Sequence, residues 1–293
     1  MIFFLTESTR HLRPSLVKQG CNIGQYKTSI FADGERGYLL EEEVAGKPII
    51  LIASVLPRPE SLFDLMALFR LLHENEAIDI TVIIPYLGYA RQDRPKRKGE
   101  ASIGLMIVEL LKSMKAPKLV MFDVHSDLIR RSFNLSIAEL SALPLFAAAF
   151  AKRPPNVIIA PDAGALKRAE GLARLLRPQP EVALIDKVRT RPNVAKAKKL
   201  HGDVEGKDVL IIDDMIDTGG TIAEAVKLVL RNGAAVIRVA ATHGIFSGGA
   251  KERLSPLPIS EILVTNSLPR QRRLKTRSLD IVPLILGLLQ VPR

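Results

Sequence analysis

Residues Val209–Val226 read VLIIDDMIDTGGTIAEAV, and the order of residue types in them decides the fold class. Val209–Ile212 is an unbroken aliphatic run, the pattern of a strand covered on both faces in a parallel sheet. A tight turn follows, Asp217-Thr218-Gly219-Gly220-Thr221, and from Thr221 to Arg231 the apolar residues recur at helical spacing. A buried strand that turns directly into a helix is the repeating unit of an α/β fold. The turn's chemistry follows from its residue types. Glycines let backbone N–H groups approach an anion, Thr218 and Thr221 add hydroxyls, and a helix N-terminus adds partial positive charge. Asp213 and Asp214 stand at the carboxyl end of the strand, where α/β sheets bind ligands; carboxylates beside a phosphate can hold sugar hydroxyls or Mg2+. The plainer alternative, a capped turn with solvated acids, leaves the third acid and the TGGT run without a reason.

The same alternation extends in both directions from this stretch. Short aliphatic runs predict strands near Ile2–Leu5, Ile49–Ala53, Ile80–Pro85 and Lys118–Phe122, with helices near Glu60–His73 and Ser102–Lys115. In the second half, strands are expected near Val157–Ala160, Val182–Ile185, Ile237–Ala241 and Ile262–Val264, beside the strand already described. Helices are expected over Ala165–Leu176 and Thr221–Arg231, with a closing helix in Ile281–Leu289. A helical start signal after a loop near Ala142–Pro144 places a join there, giving domains of residues 1–143 and 144–293. Lys187–Lys207 lacks periodicity, is rich in Lys and Arg, and reads as a long loop of the kind that usually carries function.

Composition narrows the class of protein. With 47% hydrophobic and 25% charged residues in 293, the chain can bury sizeable cores and is too apolar for a disordered one. The apolar run after Met1 is four residues long, too short for a secretory h-region, and no run approaches the roughly 18 apolar residues of a membrane span. One cysteine, Cys21, permits no internal disulfide, so a cytoplasmic, reducing location and no membrane partner are expected. The formal charge of +11 raises the question of nucleic acid. The basic stretches Arg91–Lys98, Lys187–Lys199 and Arg270–Arg277 contain no interleaved aromatics, so phosphorylated small molecules are the expected anions and nucleic acid is not.

Asp213–Thr221 matches the motif DDxxDTGGT without a departure, and on it the chain resembles the phosphoribosyltransferases and ribose-phosphate diphosphokinases. Further segments resemble the diphosphokinases specifically: FADGE at Phe31–Glu35, PYLGYARQDR at Pro85–Arg94, FDVHS around His125, PDAGALKRA around Asp162, and IDKVRTRPN with Lys187 and Arg189. The resemblance implies two phosphoribosyltransferase-like domains, each with a mainly parallel central sheet flanked by helices. It implies transfer of the β,γ-diphosphoryl group of Mg-ATP to the C1 hydroxyl of ribose 5-phosphate. By the same resemblance ATP is held by Phe31, Asp33, Gly34, Glu35, Arg91, Gln92 and Asp93. FADGE reaches the site from a neighbouring subunit, which implies a homo-oligomer of at least two chains. Ribose 5-phosphate falls to Arg189, Asp213, Asp214, Asp217, Thr218, Gly219, Gly220 and Thr221. His125 and Asp162 serve Mg2+, and Lys187 and Arg189, in the family's flexible catalytic loop, stabilise transition-state charge.

Departures from the longer, phosphate-activated members point to a particular subclass. Their Ser-Arg-x-Pro-Ile is here Gly99-Glu100-Ala101-Ser102-Ile103, a serine near the end is Asp280, a regulatory arginine is Ala45, and a second glycine after Gly164 is Ala165. The chain thus resembles the shorter archaeal-type class. An added carboxylate about 4 Å from a bound phosphate costs on the order of 4 kcal/mol near a surface, so inorganic phosphate is not expected to activate strongly. Three rival readings remain: a phosphoribosyltransferase has no need of FADGE, RQD or the KVR segment, intact Lys187, Arg189, His125 and Asp217–Thr221 argue against a non-catalytic, diphosphokinase-like regulatory subunit, and a nucleic-acid binder explains the charge but not the spacing of the motifs.

Overall fold

The structure, a computed structural model, describes residues 1–133, 137–188, 197–269 and 274–290, with the backbone alone at 187–188 and 197–198. The chain divides into two compact units. The first is Met1–Leu140 with Ser267–Pro269 and residues 282–290, and the second is Ser141–Asn266 with residues 274–281.

The first unit opens with β1 (Ile2–Leu5), a 3-10 turn at Glu7–Leu12 and α1 (Arg13–Lys18). A hairpin of β2 (Tyr26–Ile30) and β3 (Arg36–Leu40) follows, then β4 (Pro48–Ile52) and α2 (Pro59–Glu74). The unit continues through β5 (Ile78–Ile84), α3 (Ile103–Ser113), β6 (Lys118–Phe122), α4 (Asp127–Ser132) and β7 (Ile137–Leu140). Among the described residues the sheet order is β1-β4-β5-β6-β7, parallel throughout. Alternate strand residues Ile49, Leu51, Val82, Ile84 and Met121 share a core with Leu65, Leu68 and Leu72 of α2 and with Ile107, Val108 and Leu111 of α3. The 3- and 4-residue spacing of these helical positions puts them on one face, which is why the segments are helices. Pro59 opens α2 at a position where its missing N–H costs nothing.

In the second unit α5 (Leu143–Phe150), β8 (Val157–Ala160), α6 (Leu166–Leu175), β9 (Glu181–Val188) and β10 (Ala197–His201) come first. Then come β11 (Asp208–Ile216), α7 (Gly220–Arg231), β12 (Val236–Gly244), α8 (Ala250–Leu254), β13 (Glu261–Thr265) and β14 (Arg277–Leu279). The sheet runs β10-β9-β8-β11-β12-β13-β14, parallel except where β10 lies antiparallel on β9. Both faces are covered, as the unbroken aliphatic run in β11 requires. Val209 and Ile211 join Ile222, Val226 and Val229 of α7 on one side, while Leu210 and Ile212 join Phe146, Phe150, Ala169 and Leu172 on the other. After β14 the chain returns to the first unit as α9 (Val282–Leu288), which buries Val282, Ile285 and Leu286.

Each strand and helix expected from periodicity is present, with shifted ends, and the fold class is α/β with mainly parallel sheets. The expected loop from Lys187 is the main difference. Strand β9 continues through Val188, and β10 returns over Ala197–His201, so Lys187 lies opposite Lys198 in a ladder. An antiparallel edge strand gains its stability from backbone hydrogen bonds and needs no apolar alternation, so polarity alone does not exclude it. Arg189 lies outside the described residues.

Candidate active site

In the second unit the turn Asp217–Thr221 sits between β11 and α7. Gly219 adopts φ 73°, the left-handed region, at the N-cap of α7. A Cβ there would come within 3.0 Å of Leu254 Cγ, so both conformation and space call for glycine. A side chain at Gly220 would meet nothing closer than Thr218 Oγ1 at 3.8 Å, which leaves the amide end of the helix open. The Ser247 hydroxyl donates to the Asp217 carboxylate. Arg253 Nη1 donates to the Thr218 carbonyl at 2.7 Å and to the Gly248 carbonyl at 2.8 Å.

At the carboxyl end of the same sheet, Asp213 Oδ1 accepts the Asp214 N–H at 2.8 Å. Burial, then the charge of Asp214 beside it and that of Asp162 as a smaller contribution, pushes the Asp213 carboxyl well above the usual carboxylate range. Asp162 follows the neighbouring strand β8. Its Oδ1 accepts from the Gly164 N–H at 3.0 Å and the Ala165 N–H at 3.3 Å, capping a 3-10 turn. Ala165 is 1% exposed and packs in the α5–α6 core, so its methyl faces away from solvent and the glycine-to-alanine departure is absorbed by packing. The acid-rich end of one sheet and the glycine-containing turn Asp217–Thr221 are therefore brought together by β8, β11 and α7.

The first unit holds the other group. Phe31–Glu35 forms the turn of the β2–β3 hairpin: Phe31 N–H donates to the Glu35 carbonyl at 2.8 Å, and Glu35 N–H to Asp33 Oδ1 at 3.0 Å. Phe31 is 58% exposed, its ring edge close over Gly37, so an aromatic face is presented to solvent. The hairpin is tied to α2 through Asp64, which accepts from Arg36 at 2.9 Å and from the Tyr38 hydroxyl. Arg91 and Asp93 line one pocket with Arg94, His125 and Ser126. Burial works to raise the Asp93 pKa, but the Ser126 hydroxyl, donating at 2.7 Å, and the Arg94 guanidinium turn the net shift downward. Gln92 also lies on this loop, which abuts α3 because Gly104 has no side chain; a Cβ there would come within 2.9 Å of the Tyr89 carbonyl. Tyr89 (φ 62°) and Asp123 (φ 35°) hold positive φ in the loops that carry Arg91 and His125, a form of strain that gathers at functional loops.

Comparison with known proteins follows the same division. Residues 1–114 match the family model for the N-terminal domain of ribose phosphate pyrophosphokinase, and residues 137–259 match that for the phosphoribosyl transferase domain. The chain is 35% identical over 289 residues to the ribose-phosphate pyrophosphokinase of Corynebacterium ammoniagenes, covering 96% of this chain and 90% of the relative. It is 36% identical over 270 residues to that of Fusobacterium nucleatum subsp. nucleatum, covering 90% and 85%. The chain belongs to the ribose-phosphate pyrophosphokinase family. The crystal structure of phosphoribosylpyrophosphate synthetase from Mycobacterium smegmatis superposes with a TM-score of 0.88 at 30% identity, covering 99% of this chain and 97% of that one.

Within the ribose-phosphate pyrophosphokinase framework, the N-terminal match contains Phe31–Glu35 and Arg91–Asp93, and the phosphoribosyl transferase match contains Asp162, Lys187 and Asp213–Thr221. His125 falls between the two matched ranges. Sequence reasoning passed over Ser247 and Arg253, which the fold brings onto Asp217 and Thr218. The available signal was SGG at Ser247–Gly249 directly after a strand, a loop pattern at the same sheet end as the motif.

Proposed function

We propose that this transferase moves the β,γ-diphosphoryl group of Mg-ATP to the C1 hydroxyl of ribose 5-phosphate, yielding 5-phosphoribosyl 1-diphosphate and AMP for nucleotide and amino-acid biosynthesis. The observation that carries this reading is the open anion loop Asp217–Thr221 beside Asp162, Asp213 and Asp214, in a chain of this family. The C1 oxygen forms a bond to the β-phosphorus, the bond from that phosphorus to the oxygen bridging the α-phosphate breaks, and the hydroxyl proton is released. Such a transfer depends on alignment and charge neutralisation more than on covalent chemistry.

The residue roles are part of the proposal. Backbone N–H groups at 218–221 with the two threonine hydroxyls hold the 5-phosphate, while Asp213, Asp214 and Asp217 orient the sugar hydroxyls. Arg189 joins the sugar phosphate, and Lys187 and Arg189 meet the charge developing on the transferred phosphoryls. Phe31 stacks a purine, Asp33, Gly34 and Glu35 hydrogen-bond its edge, and Arg91, Gln92 and Asp93 hold the nucleotide; residues 1–143 thus carry the ATP segments and 144–293 the ribose 5-phosphate site. For Mg2+ the donor chemistry fits. Asp162 spends Oδ1 on two N–H groups, leaving Oδ2 for a hard cation that takes one or two carboxylates and completes its shell with water and substrate oxygens; His125 acts directly or through water. Held by these residues, Mg2+ would supply positive charge for the phosphate oxygens. Among the described residues no helix is long and apolar enough to cross a membrane, and the proposal places the enzyme in the cytoplasm as a homo-oligomer of at least two chains, without nucleic-acid partners.

The test is product analysis with purified protein, Mg2+, ATP and ribose 5-phosphate. Equal amounts of AMP and phosphoribosyl diphosphate are expected; AMP without the sugar diphosphate, or no turnover at all, would overturn the reading.

A further inference from the structure

The segment from Ser247 to Leu254, outside the DDxxDTGGT motif, touches nearly every residue of the loop between β11 and α7. Ser247 donates to the Asp217 carboxylate. A Cβ on Gly248, which sits at φ 47°, would lie 3.5 Å from the Thr218 methyl, and Leu254 fills the space beneath Gly219. Arg253 makes the decisive contact, with one guanidinium nitrogen donating to the carbonyls of Thr218 at 2.7 Å and Gly248 at 2.8 Å.

A trans peptide is planar, so its C=O and N–H point in opposite directions. Fixing the Thr218 carbonyl therefore fixes the N–H of Gly219 on the far side of the same plane. Gly219 itself cannot enforce that orientation, because glycine is the residue with the widest choice of backbone angles. A charged donor forms a stronger hydrogen bond than a neutral one, and its positive charge reinforces the dipole of the peptide it grips.

We propose that Arg253 is a positioning residue for the anion loop: by gripping the Thr218 carbonyl it aims the Gly219 N–H at the bound 5-phosphate, while Ser247 holds the Asp217 carboxylate at the start of the loop. This inference rests on the reading of Asp217–Thr221 as the ribose 5-phosphate site. Arg253 touches no substrate atom in this scheme; it acts through the peptide plane.

Steady-state kinetics on the full chain separates this role from a merely structural one. In Arg253→Met the KM for ribose 5-phosphate is expected to rise about 10-fold or more, the order expected for losing hydrogen bonds from a charged group, while the KM for ATP stays within about twofold. Arg253→Lys, which keeps charge and donors on a shorter stem, is expected to recover part of the loss, and Ser247→Ala to give a smaller rise of the same selectivity. The proposal is overturned if Arg253→Met leaves the ribose 5-phosphate KM unchanged, or if both KM values rise together with a fall in apparent Tm that Arg253→Lys does not relieve. A wild-type protein that turns over ATP without saturating in ribose 5-phosphate overturns the underlying site reading instead, so the two failures are distinguishable.

Discussion

Asp213 pairs burial with two neighbouring acids, and its carboxyl holds a proton to a higher pH in the folded protein than in the unfolded chain. The sign of the consequence follows from linkage. As pH rises above about 4 the unfolded chain ionises first, so stability is lost until the folded carboxyl titrates, and the penalty then persists. Metal-free Asp213→Asn is therefore expected to show a higher apparent Tm than the wild type at neutral pH, by about 2–4 °C, with the difference vanishing near pH 4; differential scanning fluorimetry across that range reads it. Mg2+ held at Asp162 is expected to narrow the gap, since its charge offsets that of the ionised Asp213 nearby. Lys187 gives a second test at this scale. Lys187→Ala should leave the KM values for both substrates nearly unchanged and lower kcat on the order of 100-fold or more, as loss of a transition-state charge contact does; near-normal turnover removes it from the machinery. At this scale much was legible in sequence. The acids and glycines of 213–221 announce a site because they cluster within nine positions, whereas Arg253 lies 35 residues from Thr218 and carries no local signature.

The elements were legible where apolar spacing was strong. Val209–Ile212 and the helices Pro59–Glu74 and Gly220–Arg231 bury one or both faces, so their period shows in the residue types. The β2–β3 hairpin shows the opposite. Its residues are mostly exposed, and it is held by backbone pairing, by Tyr26 and Leu40 packed against the core, and by the carboxylate of Asp64, which is 9% exposed. Strand β10 was lost to sequence reading for the same reason: AKKLH pairs through its backbone at a sheet edge. The hairpin's dependence on Asp64 is testable. Asp64→Ala leaves Arg36 and Tyr38 without their shared acceptor, a cost of about 1–3 kcal/mol where such groups are buried and less at the exposed guanidinium. Faster hydrogen exchange confined to 26–40 and a raised KM for ATP, with ribose 5-phosphate unaffected, are expected. Exchange that is unchanged would show that strand pairing and core packing hold the hairpin without Asp64.

For the whole molecule the sequence departures at Gly99–Ile103, Ala45 and Asp280 predict activity without inorganic phosphate. Asp280 is engaged: Asn266 Nδ2 donates to its Oδ1 at 2.8 Å, and Asn266 Oδ1 accepts from the Ile281 N–H at 2.8 Å. A phosphate titration should change kcat by less than about twofold, since a like charge close to a bound anion is repulsive on the order of several kcal/mol; steep activation would refute the lost-site inference. Nothing in residue spacing announced that Val282–Leu288 belongs with Met1–Leu140, because long-range partnership leaves no local pattern. That return carries a consequence for biosynthesis. The ribosome delivers α9 about 140 residues after β7, an interval of roughly 7–28 s at about 5–20 residues per second. During that time the site of Val282, Ile285 and Leu286 stands empty while the second unit is already emerging whole. A stalled chain ending before residue 282 lacks those buried side chains and should be cleared by proteolysis faster than the finished protein.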